Sequence, residues 1–270
     1  MTTGDISAAS ERIDMTRPHS SRVWDYWLGG KDNFEVDREL GEQIAGMFPH
    51  VVATARGDRE FMHRSTRFLA AEAGIDQFLD IGTGLPTPPN VHQVAQEVTP
   101  EARVVYVDND PIVLVHARAL LTSTSEGSCD YLDADMREPG HILREARKTL
   151  DFDRPVAIML MSVLHFVADI EDVVAILGRL LAAVPSGSYL ALTHTTDEIG
   201  GPAVKTAFEM WNATAHPKSQ PRTRSEVITL FDGLELLDPG VVSPPLWRPR
   251  LDLETAPEEV PLWAGVARKP

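Results

Sequence analysis

The stretch IDQFLDIGTGLPTPPN, residues 75–90, decides the reading of the whole chain. Ile75 to Ile81 is a short, largely apolar run carrying Asp80 near its end, and Gly82 and Gly84 follow at once. Such a run bounded by glycines reads as a buried strand entering a tight turn. Two glycines let the backbone turn sharply and let a ligand approach closely. The third glycine of the dinucleotide fingerprint is missing, because Leu85, Pro86 and Thr87 occupy that stretch. Pro86, Pro88 and Pro89 delay the next helix, so a pyrophosphate would lose the helix N-terminus on which it usually rests. S-adenosylmethionine suits this loop better, since it carries a sulfonium and an amino acid but no phosphate. Asp80 is placed to meet the ammonium end, directly or through water. The plainer alternative is a tight turn capped by an aspartate, and only alignment with the rest of the chain favours the ligand site.

That alignment appears on both sides. Downstream, strands and helices alternate. Asn90 is a candidate cap for a helix with Val91, Val94, Ala95 and Val98 on one stripe. ARVVYVD (102–108) is a second strand, and Asp110-Pro111 opens a helix as N-cap and first residue. CDYLDAD (129–135) and YLALTHT (189–195) are further strands, and PVAIMLMSVLHFV (155–167) is an apolar strand running on into a loop. Between them come helices near 141–150 and 169–184, the second with Asp169 as candidate cap. Helices follow at 202–215 and from a Ser225 cap to Phe231, and the last strands are expected at 234–242 and 260–268. Upstream, residues 1–17 read as a polar, disordered tail. Helices are expected after Asn33 and over about 58–73, with Gly74 as stop. The predicted fold is α/β: a Rossmann-like, mostly parallel sheet of about seven strands with the last one antiparallel, and helices on both faces. The domain division is a tail at 1–17, a helical N-terminal lid at 18–74 and a core at 75–270.

In open α/β sheets ligands bind beyond the carboxyl ends of the strands. Asp108 ends the second strand, where an acid accepts hydrogen bonds from both ribose hydroxyls, and Asn109 follows it. Asp135 is a candidate for the adenine amino group, with Met136 against the ring, while Asp133 reads equally as a solvated acid. Ser162 to Phe166 lies where a reactive methyl group would sit.

In their order, FLDIGTG, VVYVDND, YLDADMREP and MLMSVLHFV resemble class I S-adenosylmethionine-dependent methyltransferases. The N-terminal RVWDYWLGGKDNFEVDRE, joined to that core, resembles one bacterial methyltransferase family formerly of unknown function. The resemblance spans about residues 18–268. It implies cofactor contacts at Asp80, Gly82, Asp108, Asp135 and Ser162, with Thr83 and Gly84 in the same loop. It also implies that Arg22, Tyr26 and Gly30 fold over the pocket. The missing third glycine departs from the broad class at the loop itself.

Methyl transfer is an in-line displacement at a carbon activated by the sulfonium, so the protein mainly positions and excludes water. If a base is needed, His165 leads, ahead of His194 and Tyr26, although each histidine also reads as a packed core residue. Lys31, Asp32 and Asn33 are candidate contacts to substrate or cofactor, and Trp211 and Trp247 candidate aromatic walls. No HxH or HExxH pair occurs, so no metal site is expected. The net charge of −15 repels phosphate backbones and disfavours general nucleic-acid binding. One cysteine, no apolar segment of membrane-spanning length and no signal-peptide core favour the cytoplasm. The expected partner is a small-molecule methyl acceptor, with a homodimer among the open options. Two rival readings share the sheet: a non-catalytic cofactor-binding protein and a nicotinamide-dependent oxidoreductase.

Overall fold

The computed structural model describes residues 13–120, 123–249 and 257–270. The predicted tail therefore falls mostly outside the described residues. Among the described residues three helices come first: α1 (Ser20–Trp27), α2 (Glu35–Met47) and α3 (Val51–Ala71). The third begins seven residues earlier than its apolar periodicity suggested, because Val51, Thr54 and Ala55 are buried and extend the same stripe. It ends before Gly74, whose φ of +69° is a left-handed stop.

The sheet then forms from β1 (Gln77–Ile81), β2 (Arg103–Asp108), β3 (Ser128–Asp133), β4 (Ala157–Leu160), β5 (Tyr189–Thr195), β6 (Glu235–Leu236) and β7 (Leu262–Arg268). Their spatial order is β3-β2-β1-β4-β5-β7-β6. The first five pair in parallel, and β7 runs antiparallel to both β5 and β6. Helices α4 (Val91–Gln96), α5 (Pro111–Leu120), α6 (Pro139–Ala146) and α7 (Ile170–Ala182) connect the parallel strands, and α8 (Pro202–Thr214) and α9 (Arg224–Thr229) precede β6.

Successive side chains on a strand point to opposite faces, and the two cores follow that alternation. Leu79, Ile81, Val105, Val107, Ile158 and Leu160 pack on one face, under α6 and α7. Phe78, Val104, Tyr106, Ala157 and Met159 pack on the other, with Phe61, Met62 and Leu69 of α3. The same alternation sends Asp80 to the Phe78 side, toward α3. A third cluster joins Val23 and Trp27 of α1, Leu40 and Ile44 of α2, and Val204 and Trp211 of α8.

The strand expected to run on into a loop within 155–167 stops at Leu160, because Ser162 turns into the left-handed region (φ +47°) and Leu164–Phe166 form a 3-10 turn. The strand expected over 234–242 shrinks to Glu235–Leu236: Pro239 has no N–H to give a ladder, Gly240 turns at φ +84°, and only Val242 bridges back to Ala264. The cap of α9 is Thr223, not Ser225; its hydroxyl accepts from the Glu226 N–H, and Glu226 accepts from the Thr223 N–H in return. Asn90 is the N-cap of α4, as expected: Gln93 accepts from its N–H, while its Oδ1 accepts from the Thr87 N–H in the proline-rich turn.

Candidate active site

A cavity of about 420 Å³ opens at the carboxyl ends of β1 to β5, with one side of α1 and part of α8 completing its wall. The loop after β1 forms its floor. Gly82 (φ +76°) and Gly84 (φ +66°) both lie in the left-handed region. The Gly82 N–H donates to the Val107 carbonyl (2.7 Å) and the Gly84 N–H to Asp108 Oδ2 (2.8 Å), so the loop is tied to the end of β2. A Cβ on Gly82 would collide with the Val163 side chain beyond β4. Gly82→Ala is therefore expected to cost about 2–4 kcal/mol, from backbone strain plus the collision. The thermal unfolding midpoint should drop and affinity for S-adenosylhomocysteine should fall with it.

Two buried carboxylates, Asp80 and Asp58, and the half-buried Asp108 gather on this floor. Asp80 lies on the α3 side of β1, and burial pushes its pKa up to about 7; Thr83 and Arg59 work against that rise, Asp108 and Asp58 with it. Burial likewise raises Asp58 of α3 to about 6, despite hydrogen bonds from Thr193 and Ser162. Thr193 Oγ1 donates to Asp58 Oδ1 at 2.5 Å and accepts from the Ser162 N–H at 2.8 Å, joining α3 to the ends of β4 and β5. Asp108 accepts from the Gly84 and Asp110 N–H groups, and burial still leaves its pKa raised. Arg59 is the nearby cation. Its Nη2 donates to the Pro89 carbonyl (2.9 Å), while its buried Nε has no partner.

The other wall continues along β2 and β3. Asn109 donates to Asp135 Oδ2 (3.2 Å), and Arg137 pairs with Asp135 (3.0 Å). Met136 is buried beside them, and all four residues line the cavity. On the α1 side, His19 Nδ1 lies 2.8 Å from Asp110 Oδ2, and the Ser21 hydroxyl donates to the same oxygen. These contacts pin the start of α1 beside Asp108.

The two candidate bases part company here. Arg222 is buried and donates to His194 Nε2 (2.8 Å) and to the Leu164, Val167 and Ala168 carbonyls. A nitrogen that accepts from a guanidinium must be unprotonated, so the His194 proton sits on Nδ1, which donates to the Thr195 carbonyl (2.9 Å). Burial, with the Arg222 charge, lowers His194 to about 4. Its one lone pair is taken, so His194 is fixed as structure. His165 also stays neutral, since burial drives its pKa well down, with His194 and Arg222 adding to the effect. It lines the cavity, and its Nδ1 has no partner.

The N-terminal signature places its residues in two ways. His19, Ser21, Trp24, Asp25 and Leu28 line the cavity. Arg22, Tyr26 and Gly30 are not among its lining residues. Arg22 pairs with Asp37 (2.9 Å), Tyr26 donates to Glu42 (3.2 Å), and Gly30 sits against Asp25 where no Cβ would fit. They shape α1 and its turn instead of facing the pocket. Asn33 supports Asp25 (2.8 Å), while Lys31 and Asp32 lie outside the lining. Trp211 lines the cavity; Trp247 is fully buried against Phe61 in the core. Asp58 and Arg59 escaped sequence reasoning. The available signal was a charge at position 58 within the apolar stripe of Ala55, Phe61 and Met62.

Seven strands in this order, with an acid-lined cavity at the parallel strand ends, define a class I S-adenosylmethionine-dependent methyltransferase. A family model described as S-adenosyl methyltransferase matches residues 6–270, and the chain belongs to that family. A DUF574 family protein from Streptomyces avermitilis MA-4680 is 45% identical, with 96% of this chain and 100% of that chain covered and a TM-score of 0.90. A Thermobifida fusca YX protein provisionally assigned as a methyltransferase is 41% identical, with 95% and 96% covered and a TM-score of 0.86. The magnesium protoporphyrin IX methyltransferase of Synechocystis PCC 6803, solved with bound cofactor, shares the fold at 12% identity, with 98% and 97% covered and a TM-score of 0.54. The chain has no match among curated proteins. The cofactor is S-adenosylmethionine, which removes the nicotinamide reading.

Proposed function

We propose that the enzyme methylates a small molecule in the cytoplasm, by in-line displacement, inside this cavity. The observation that carries the reading is the set Asp58, Asp80 and Asp108 on one cavity floor, with Arg59 beside the first two. Buried carboxylates need positive partners, and the cofactor brings an ammonium and a sulfonium. Asp108 takes the ribose hydroxyls, Asp80 and Asp58 the ammonium, and the Arg59 guanidinium the carboxylate. Asn109, Asp135 and Met136 flank the adenine, and Ser162 with Gly82 to Gly84 closes around the amino-acid end. Residues 18–74 act as the lid, with α1 as the element that excludes water. When bound, the cofactor supplies a methyl group already activated for attack. His165 receives a proton from the acceptor where the acceptor has one to lose. Its low basicity is sufficient, because the acceptor proton becomes strongly acidic as the new bond forms. Among the described residues no helix is long and apolar enough to cross a membrane, and the charge of −15 favours a small molecule over a nucleic acid.

The test is proton release. A cation placed among Asp80 and Asp58 favours their ionised forms, so binding must expel protons wherever the free pKa values of about 7 and about 6 exceed the bound ones. Affinity should therefore rise as pH is raised from about 5 to about 8, about tenfold for each unit by which a carboxyl is lowered. Calorimetry near pH 6.5, in buffers of different ionisation enthalpy, reads the released protons directly. Without ligand the sign reverses: the folded chain holds protons that the unfolded chain has lost, so stability declines as pH rises from about 4 through about 7. Binding with no proton release would count against the carboxylate trio as the ammonium site.

A further inference from the structure

Beyond the carboxylate floor the cavity changes character. Its remaining arm is walled by Trp24 and Trp27 of α1, Phe48, Phe166, and Phe208 and Trp211 of α8. Trp24, Phe166 and Phe208 are only half-buried. The Phe166 and Trp211 rings lie 6.4 Å apart with planes inclined by 35°, and His165 lies 4.0 Å from Phe166. The two arginines of the cavity lining, Arg59 and Arg137, are both engaged: Arg59 reaches the proline-rich turn, and Arg137 pairs with Asp135 and donates to the Phe166 carbonyl (2.8 Å). The arm therefore offers an anion no unpaired arginine. Nor does it favour a cation: Asp25, the α1 carboxylate in the lining, is taken up by the Asp32 N–H and Asn33, and the buried Arg222 stands behind His194, whose ring is 6.0 Å from that of His165. The arm is not wholly apolar, however. His165 Nδ1, Thr195 Oγ1 and Ser219 Oγ belong to cavity-lining residues and have no hydrogen-bond partner.

From this we infer that the methyl acceptor is an uncharged, flat aromatic compound bearing a hydroxyl, its ring held by Phe166, Phe208 and Trp211 and its hydroxyl directed to His165. The inference rests on the methyltransferase reading. Aromatic walls favour a planar ring by area and by edge or offset stacking, while a charged acceptor would lose its hydration for nothing. A hydroxyl can donate to the neutral imidazole of His165, a lining residue. In the reaction the hydroxyl oxygen forms the bond to the methyl carbon as the carbon–sulfur bond breaks. That electron pair leaves on sulfur, and the hydroxyl proton passes to His165 and on to water. The products are the methyl ether, S-adenosylhomocysteine and one proton.

The test uses the full chain saturated with S-adenosylhomocysteine, so that the adenine site is filled. Three probes of one shape, 2-naphthol, 2-naphthoate and 2-naphthylmethylammonium, are titrated by calorimetry at pH 7. The expected order is 2-naphthol at least tenfold tighter than either charged probe. Phe208→Ala should weaken 2-naphthol about tenfold and leave S-adenosylhomocysteine within threefold. Phe208→Lys should shift preference toward 2-naphthoate, a gain that misfolding cannot produce. Equal binding of all three probes, tighter binding of a charged one, or no effect at Phe208 would overturn the acceptor assignment while S-adenosylhomocysteine binding stood. Failure to bind S-adenosylhomocysteine would remove the cofactor site itself and the inference with it.

Discussion

Asp108→Ala is expected to weaken S-adenosylmethionine binding about 100-fold, or about 3 kcal/mol, with the fold retained. Two losses combine in that figure. The side chain is half-buried, and its two oxygens fix the Gly84 and Asp110 N–H groups at 2.8 and 2.9 Å. Hydrogen bonds to a charged group are each worth about 1.5–3 kcal/mol. The variant therefore removes the ribose acceptor and also frees the glycine loop from the end of β2. Asp108→Asn keeps one acceptor and should fall between the parent and alanine. Isothermal calorimetry measures the affinity, and circular dichroism checks that the sheet survives. An Asp108→Ala protein that binds as tightly as the parent would displace the ribose site from this position.

The second large effect falls on stability. Arg222→Ala is expected to destabilise the chain by about 3–4 kcal/mol. Arg222 is 3% exposed and donates to three carbonyls and to His194. Removing it strands the Val167 and Ala168 acceptors, each costing about 1–3 kcal/mol when buried unpaired, and opens a cavity. For a chain of this size that corresponds to a fall of roughly 8–12 °C in melting temperature. The variant also frees the His194 lone pair, so the His194 pKa should rise from about 4, as read by NMR titration of the imidazole. Arg222→Met separates packing from hydrogen bonding. It should recover part of the stability and leave the histidine shift in place.

Much of the architecture was legible because the periods were clean. The run YLALTHT became β5 over the same seven residues, buried throughout, and β1, β2 and β7 fall within the strands expected at 75–81, 102–108 and 260–268. The strand ends then delivered Asp80, Gly82, Gly84, Asp108, Asp135 and Ser162 to one cavity. Legibility failed where the signal is tertiary. Nothing in a linear pattern shows that Arg222 would reach His194, or that His165 and His194, alike on paper, would differ in whether their lone pair is taken. Asp58 and Arg59 belong to the site through the docking of α3 against β1, which no local spacing encodes. The signature residues Arg22, Tyr26 and Gly30 were legible as a group but not as individuals. Which face of α1 meets the cavity depends on how α2 and α8 pack behind it.

The central claim is that this cavity holds S-adenosylmethionine with its methyl group turned toward the aromatic arm. A crystal structure with S-adenosylhomocysteine tests it most directly. The account expects the ribose hydroxyls on Asp108, the amino-acid end among Asp58, Arg59 and Asp80, and the sulfur facing the space between His165 and Trp211. A molecule bound elsewhere, or one whose sulfur faces Asp135 and leaves the aromatic arm behind the adenine, would contradict it.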